Sequence, residues 1–316
     1  MDDSRLSVPR LIGNDVNVGV LTSLGEPCEP FGELSFYKMI DVFYDKAYAY
    51  DEEGCDMFLI EGMEELSEIR AAVLACRKLE KPIMVMLEVK DEEMDSLGGR
   101  ELAYLISLQG LGVSAFGIKP SEDCPAEDIE RLYKQIYPYA QIPIFARLYA
   151  GKVLYSDIRK LLSLGVECFD CRDIRPAECD VVSIELSKAD FSTDVQKKED
   201  ISFLPANEEQ AFFLNPESVS VSPQIDIECD MADELVDFED ESYDVVSILV
   251  TAHDDGFRFS QNMHYLNLPI MFSAQDSETL RMALHYYHGR AIIDSKCGLP
   301  TDEIKELALE FGAIIY

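Results

Sequence analysis

The sequence predicts an α/β fold built from parallel βα units. Three observations carry that prediction. Short runs rich in Val, Ile, Leu and Met recur along the chain, and segments with apolar spacing near 3.6 residues separate them. Most of the runs are apolar at consecutive positions, as strands buried on both faces must be. Strand, helix and strand at this rhythm belong to a barrel or a doubly wound sheet.

Taken in order, a first strand is expected over residues 16–21. A helix follows over 36–53, where Phe36, Ile40, Phe43, Ala47 and Tyr50 share a face. A strand over 57–61 leads to a helix over 65–78 with Leu66, Ile69, Val73 and Cys76 at helical spacing. Strands over 83–89, 113–118, 142–148 and 166–171 continue the pattern. It breaks around 187–241. There, nine of the sixteen residues from Asp226 to Glu241 are acidic, while Met231, Leu235 and Phe238 keep a helical spacing, which predicts a connector with some order. Alternation resumes with strands over 245–250 and 269–272, a helix over 277–287, a strand over 291–293, a helix over 301–311 and a strand over 313–316. These shifts divide the chain into residues 1–190, an acidic linker over 191–242, and residues 243–316.

The formal net charge of -34 opposes nucleic acid as a partner, because phosphate binding needs clustered Lys and Arg. It equally opposes docking on an anionic membrane. The apolar runs are too short to span a bilayer, and the N-terminus lacks a basic region followed by an apolar stretch. Nine cysteines without the spacing of a secreted framework suggest a reduced, cytoplasmic protein.

Two stretches carry a family resemblance. Glu53-Gly54-Cys55-Asp56-Met57-Phe58-Leu59-Ile60-Glu61-Gly62, with Gly19-Val20-Leu21-Thr22-Ser23-Leu24-Gly25 before it, resembles the homocysteine-binding barrel of cobalamin-dependent methionine synthases and homocysteine S-methyltransferases. Leu268-Pro269-Ile270-Met271-Phe272-Ser273-Ala274-Gln275-Asp276 and the residues through Tyr316 are similar to the early strands of the same enzymes' folate-binding barrel. The resemblance implies TIM-barrel-like βα units in two partial barrels. The family's opening two strands are expected to be missing. Open parallel edges are costly, so the two pieces are expected to share one sheet or to pair with another subunit as a homo-oligomer.

The resemblance also implies a zinc site of three thiolates, a metal that activates homocysteine by lowering its thiol pKa. One ligand would sit in a Gly-x-Asn-Cys turn, which here reads Gly117-Ile118-Lys119-Pro120. The other two would be adjacent cysteines, where this chain has Cys171 and Arg172. No cofactor is therefore expected unless Cys171, Cys168, Cys124 and Cys179 rebuild a zinc set. Against a rebuilt set, Cys168 and Cys171 would point to opposite faces of a strand. The family's pterin-binding positions fall at Ser247, Leu249, Ser273 and Asp294, a set unsuited to a pterin.

What remains is a group of polar strand ends at one barrel mouth: Glu61, Glu88, Lys119, Arg147, Asp170, Arg172, Asp294 and Lys296. They are either mutually neutralising rim charges or a site for a small amino-acid-like ligand, its anionic group held by Arg147, Arg172 and Lys119 and its amine by Glu61. A corrinoid protein or a methyltransferase subunit is the macromolecular partner the resemblance implies. His285 and His288, at a helix end, would suit the helix dipole if charged. The expected function is a divergent methionine-synthase-like protein without zinc-dependent methyl transfer, acting as a ligand-binding or interaction protein. The alternative is an active thiol S-methyltransferase with a rebuilt zinc site.

Overall fold

The computed structural model describes residues 6–25, 34–89, 99–120, 125–151, 155–189, 193, 195–198, 202–228 and 231–316. Its first half contains seven parallel strands: β1 (Leu11–Ile12), β2 (Val18–Leu21), β3 (Met57–Glu61), β4 (Ile83–Val89), β5 (Ala115–Pro120), β6 (Ile144–Arg147) and β7 (Val166–Asp170). Between them lie α1 (Phe36–Glu52), α2 (Leu66–Arg77), α3 (Arg100–Leu111), α4 (Ala126–Ile136) and α5 (Tyr155–Ser163), and α6 (Pro176–Lys188) follows the last strand. Local chemistry sets several ends. The Ser35 hydroxyl accepts from the Lys38 amide at the start of α1. The left-handed Gly112 closes α3.

The strand order is β1-β7-β6-β5-β4-β3-β2, which puts the two strands nearest in sequence at opposite edges. Only residues 13–17 join them, and five residues span at most roughly 18 Å. The sheet must therefore curl back on itself. Its interior confirms this: Ile12, Met57, Leu59, Met84, Met86, Ala115, Phe145 and Cys168 form one buried cluster, with Val18 and Val20 against it. All seven strands contribute to that cluster, an arrangement only a curled sheet allows. Gly117 is required there, since a Cβ at that position would come within 2.7 Å of the Phe145 ring. The outward residues Phe58, Ile60, Val85, Phe116, Ile144 and Phe169 meet the helices in a larger core.

The second half is a separate five-stranded parallel sheet of order β12-β11-β10-β9-β8. Its strands are β8 (Val221–Asp226), β9 (Val245–Val250), β10 (Ile270–Ala274), β11 (Ile292–Ile293) and β12 (Ile314–Ile315), with α7 (Ala232–Asp240), α8 (Asp255–Ser260), α9 (Ser277–Tyr286) and α10 (Thr301–Phe311). Strand β8 and helix α7 both arise from the acidic stretch. Leu235 and Phe238, on the apolar side of α7, are buried. One face of the sheet carries the helices. The other holds Val245, Met271, Ile292 and Ile314 beneath Phe203, Leu214 and Val219 of the segment that enters the sheet.

The structure corrects two expectations. Among the described residues the pieces do not share one sheet. They meet through helices, and arginines of α2 make the junction. Arg70 donates to the carbonyls of Leu284 and His285 in the last turn of α9, and Arg77 to those of Leu309 and Glu310 in the last turn of α10. Positions 70 and 77 are two helical turns apart, so one face of α2 caps two helix C-termini, where cations are favoured. The second correction is β1, which like β8 is a strand absent from the expected order. Its two residues pair with Phe169 and Asp170 and close the far side of the curl. Among the described residues no helix is long and apolar enough to cross a membrane.

Candidate functional site at the mouth of the partial barrel

Strand residues alternate between the two faces, so each position two beyond an interior apolar residue also points inward. Applied to the curled sheet, that rule takes Leu59 to Glu61, Met86 to Glu88, Gly117 to Lys119, Phe145 to Arg147 and Cys168 to Asp170. One polar layer thus sits above one apolar layer at the C-terminal ends of β3 to β7, where sites in parallel barrels lie. The register is consistent, with Glu88 opposite Lys119 and Arg147 opposite Asp170.

Arg147 is the centre of this layer. Its Nη2 lies 2.6 Å from Glu61 Oε2 and its Nε 3.0 Å from Asp170 Oδ2, with Asp173 at 3.9 Å. Asp170 is 1% exposed and also receives Arg172 through Nε at 2.9 Å and Nη2 at 2.8 Å. Burial alone would raise the Asp170 pKa. The hydrogen bonds and charge of Arg172, with the charge of Arg147, outweigh it and hold the carboxyl below its ordinary value. Burial likewise works against the Arg147 cation, but Glu61 and Asp170 more than compensate and raise its pKa. Lys119 pairs with Glu88 at 2.6 Å nearer the surface, each side chain 40% exposed, and that hydrogen bond raises the lysine pKa.

The structure therefore brings together Glu61, Glu88, Lys119, Arg147, Asp170 and Arg172. It does not bring Asp294 to them. That residue ends β11 in the other sheet, where its carboxylate accepts from the Ser273 hydroxyl at 3.3 Å and the Lys296 amide at 2.8 Å. The strand positions of the individual polar groups were legible, but their mutual pairing was not, since it depends on which strands become neighbours.

Among the described residues the cysteines considered for a rebuilt zinc set are not brought together. Cys168 belongs to the interior apolar layer, its Sγ 2.9 Å from the Pro9 carbonyl, and burial pushes its thiol up to about 12. Cys171 lies in the core between the sheet and the helices, hydrogen-bonded to Cys179 of α6. Burial first, then the neighbouring Cys179, raises its pKa. Cys168 and Cys171 thus lie in different cores, one inside the curled sheet and one between the sheet and its helices. Cys124 lies outside the described residues. Among the described residues no three His, Cys, Asp or Glu side chains gather as a metal-binding group.

In comparison with known proteins, residues 8–153 match the model of the homocysteine S-methyltransferase family. The matched stretch runs from just before β1 through β6 and ends short of the Cys171-Arg172 turn. No curated protein matches the chain.

Proposed function

We propose that this chain, whose residues 8–153 match the model of the homocysteine S-methyltransferase family, is a divergent member of that family that does not carry out zinc-dependent methyl transfer. It acts in the cytoplasm as a ligand-binding or interaction protein. One observation carries this reading. Where two adjacent thiolates would hold the metal, Arg172 instead clamps the carboxylate of Asp170, and the remaining thiol, Cys171, is buried on the opposite face beside Cys179. A guanidinium cannot ligate zinc, and its charge would oppose the cation.

The mouth uses its charges internally. Arg147 is held by Glu61 and Asp170, Arg172 by Asp170, and Lys119 by Glu88. An amino-acid-like ligand entering here would have to displace the half-exposed Lys119–Glu88 pair, the least costly of these to open. The interaction role has the corrinoid protein or methyltransferase subunit of the family's chemistry as its expected partner. The test is elemental analysis of the purified chain beside titration with homocysteine. The expected result is substoichiometric zinc, unchanged in Cys171→Ser, and no homocysteine-dependent methyl acceptance from methylcobalamin. Zinc near one per chain that is lost in Cys171→Ser, together with methyl transfer, overturns the reading.

A further inference from the structure

A cavity of about 410 Å³, lined by none of the mouth residues, opens between the two halves of the molecule, with α1 and α2 on one side and α9 and α10 on the other. Tyr37, Ile40, Asp41, Leu74, Lys78 and His285 line it, with Arg77 and Glu310 at the junction. Its charges differ from those at the mouth. The Lys78 ammonium makes no ion pair among the described residues and lies 5.3 Å from the Tyr44 ring centroid. Asp41 likewise has no hydrogen-bonded or ionic partner there. Arg77 spends its hydrogen bonds on the neutral carbonyls of Leu309 and Glu310, while the Glu310 carboxylate is taken by Arg281.

A second, independent feature is His285. Its side chain lines the cavity yet the residue is 8% exposed, and its Nδ1 has no hydrogen-bond partner, a rare condition for a buried polar atom. Its ring lies 4.5 Å from that of Tyr37 and edge-on to Phe311 at 4.9 Å. Burial keeps the imidazole neutral near pH 7, so it offers one donor and one acceptor. Ile40 and Leu74 supply an apolar wall.

We infer that this cavity binds a small zwitterion of the α-amino-acid class. Its carboxylate faces Lys78, with Arg77 beyond it, its ammonium faces Asp41, and its side chain lies along Ile40, Leu74 and the Tyr37 ring. Lys78 and Asp41, opposite charges without an ionic partner among the described residues, flank one apolar-walled space and are complementary to a molecule carrying both charges. A simple anion would leave Asp41 opposed to it, and a simple cation would leave Lys78 and Arg77 so. The inference stands independently of the role given to the mouth. Because the lining comes from both halves, occupancy ties the junction together, and bound ligand raises the melting temperature by mass action.

The experiment is calorimetric titration of the full chain with each proteinogenic L-amino acid, repeated for the best binder with its carboxamide and its N-acetyl derivative. Saturable binding is expected for a subset. It is lost with both derivatives and weakened about tenfold or more in Lys78→Met and in Asp41→Asn, the scale of one charge-assisted hydrogen bond. Both positions are exposed, and circular dichroism checks that each variant folds. Leu74→Phe, which narrows the space without touching a charge, is expected to weaken binding as well. Absence of binding by every amino acid overturns the inference, and so does equal binding of the N-acetyl form. Loss of binding in Lys119→Met with retention in Lys78→Met would move the ligand to the barrel mouth and overturn it too.

Discussion

Gly110 of α3 and Gly312 beyond α10 meet backbone to backbone: a Cβ on Gly312 would come within 2.4 Å of the Gly110 carbonyl carbon, and one on Gly110 within 2.8 Å of the Gly312 oxygen. The two halves of the protein approach here without side chains between them. Gly312 is also left-handed, with φ of 69°, as it ends α10.

That contact makes the junction intolerant of a methyl group. Gly110→Ala is expected to cost about 2 kcal/mol by forcing backbone apart in a packed interface. Gly312→Ala is expected to cost more, because strain at positive φ adds to the clash. Urea unfolding monitored by circular dichroism measures both. A change below about 0.5 kcal/mol in either would contradict the close approach.

The Arg147 cluster is expected to be structural. Arg147→Ala leaves Glu61 without its cation in a largely buried layer, while Asp170 keeps Arg172, and should lower stability by about 2 kcal/mol. Asp170 has a folded pKa below its unfolded value, so its stabilisation is present above the unfolded value near ~3.9 and is lost as pH falls towards the folded one. Asp170→Asn should therefore flatten the acid limb of the stability profile. An unchanged limb would remove Asp170 as its source.

His285 makes a separate pH prediction. Burial, with the positive charges of Arg70, Arg281 and Lys78, pushes its imidazole down to about 3. The unfolded chain protonates it near ~6.5. Below that value the unfolded state takes up a proton that the folded state refuses, so stability falls from roughly pH 6.5 down to about 3. The loss between pH 7 and 5 should be roughly 2 kcal/mol and should disappear in His285→Gln. Denaturant midpoints across this range decide the matter, and an equal slope in wild type and variant would count against it. The charged imidazole that a helix end would favour does not form here, because the ring is enclosed by Phe36, Tyr37 and Phe311.

The cysteines give a chemical test. Cys171 is buried with a raised pKa, whereas Cys179 is half-buried on α6. Iodoacetamide at mildly alkaline pH should modify Cys179 before Cys171, as followed by peptide mass mapping. Faster labelling of Cys171 would indicate an exposed, activated thiol and would reopen its reading as a metal ligand.

The sequence by itself determined most of the strands, because runs such as Ile83–Val89 are apolar over consecutive positions and are satisfied inside parallel βα layers, but not the short β1 or β8, which lies in the stretch read as a linker. It also determined that Glu61, Lys119, Arg147 and Asp170 end strands pointing inward, since a period of two leaves no choice once Leu59, Gly117, Phe145 and Cys168 face the interior. Only the tertiary structure decided that Arg147 is consumed by Glu61 and Asp170, that Asp294 stands apart, and that the halves form two sheets joined by Arg70 and Arg77. Those outcomes rest on contacts between residues far apart in the chain, such as Arg70 with Leu284 and Gly110 with Gly312, whose partners are selected by helix docking and leave no local signal.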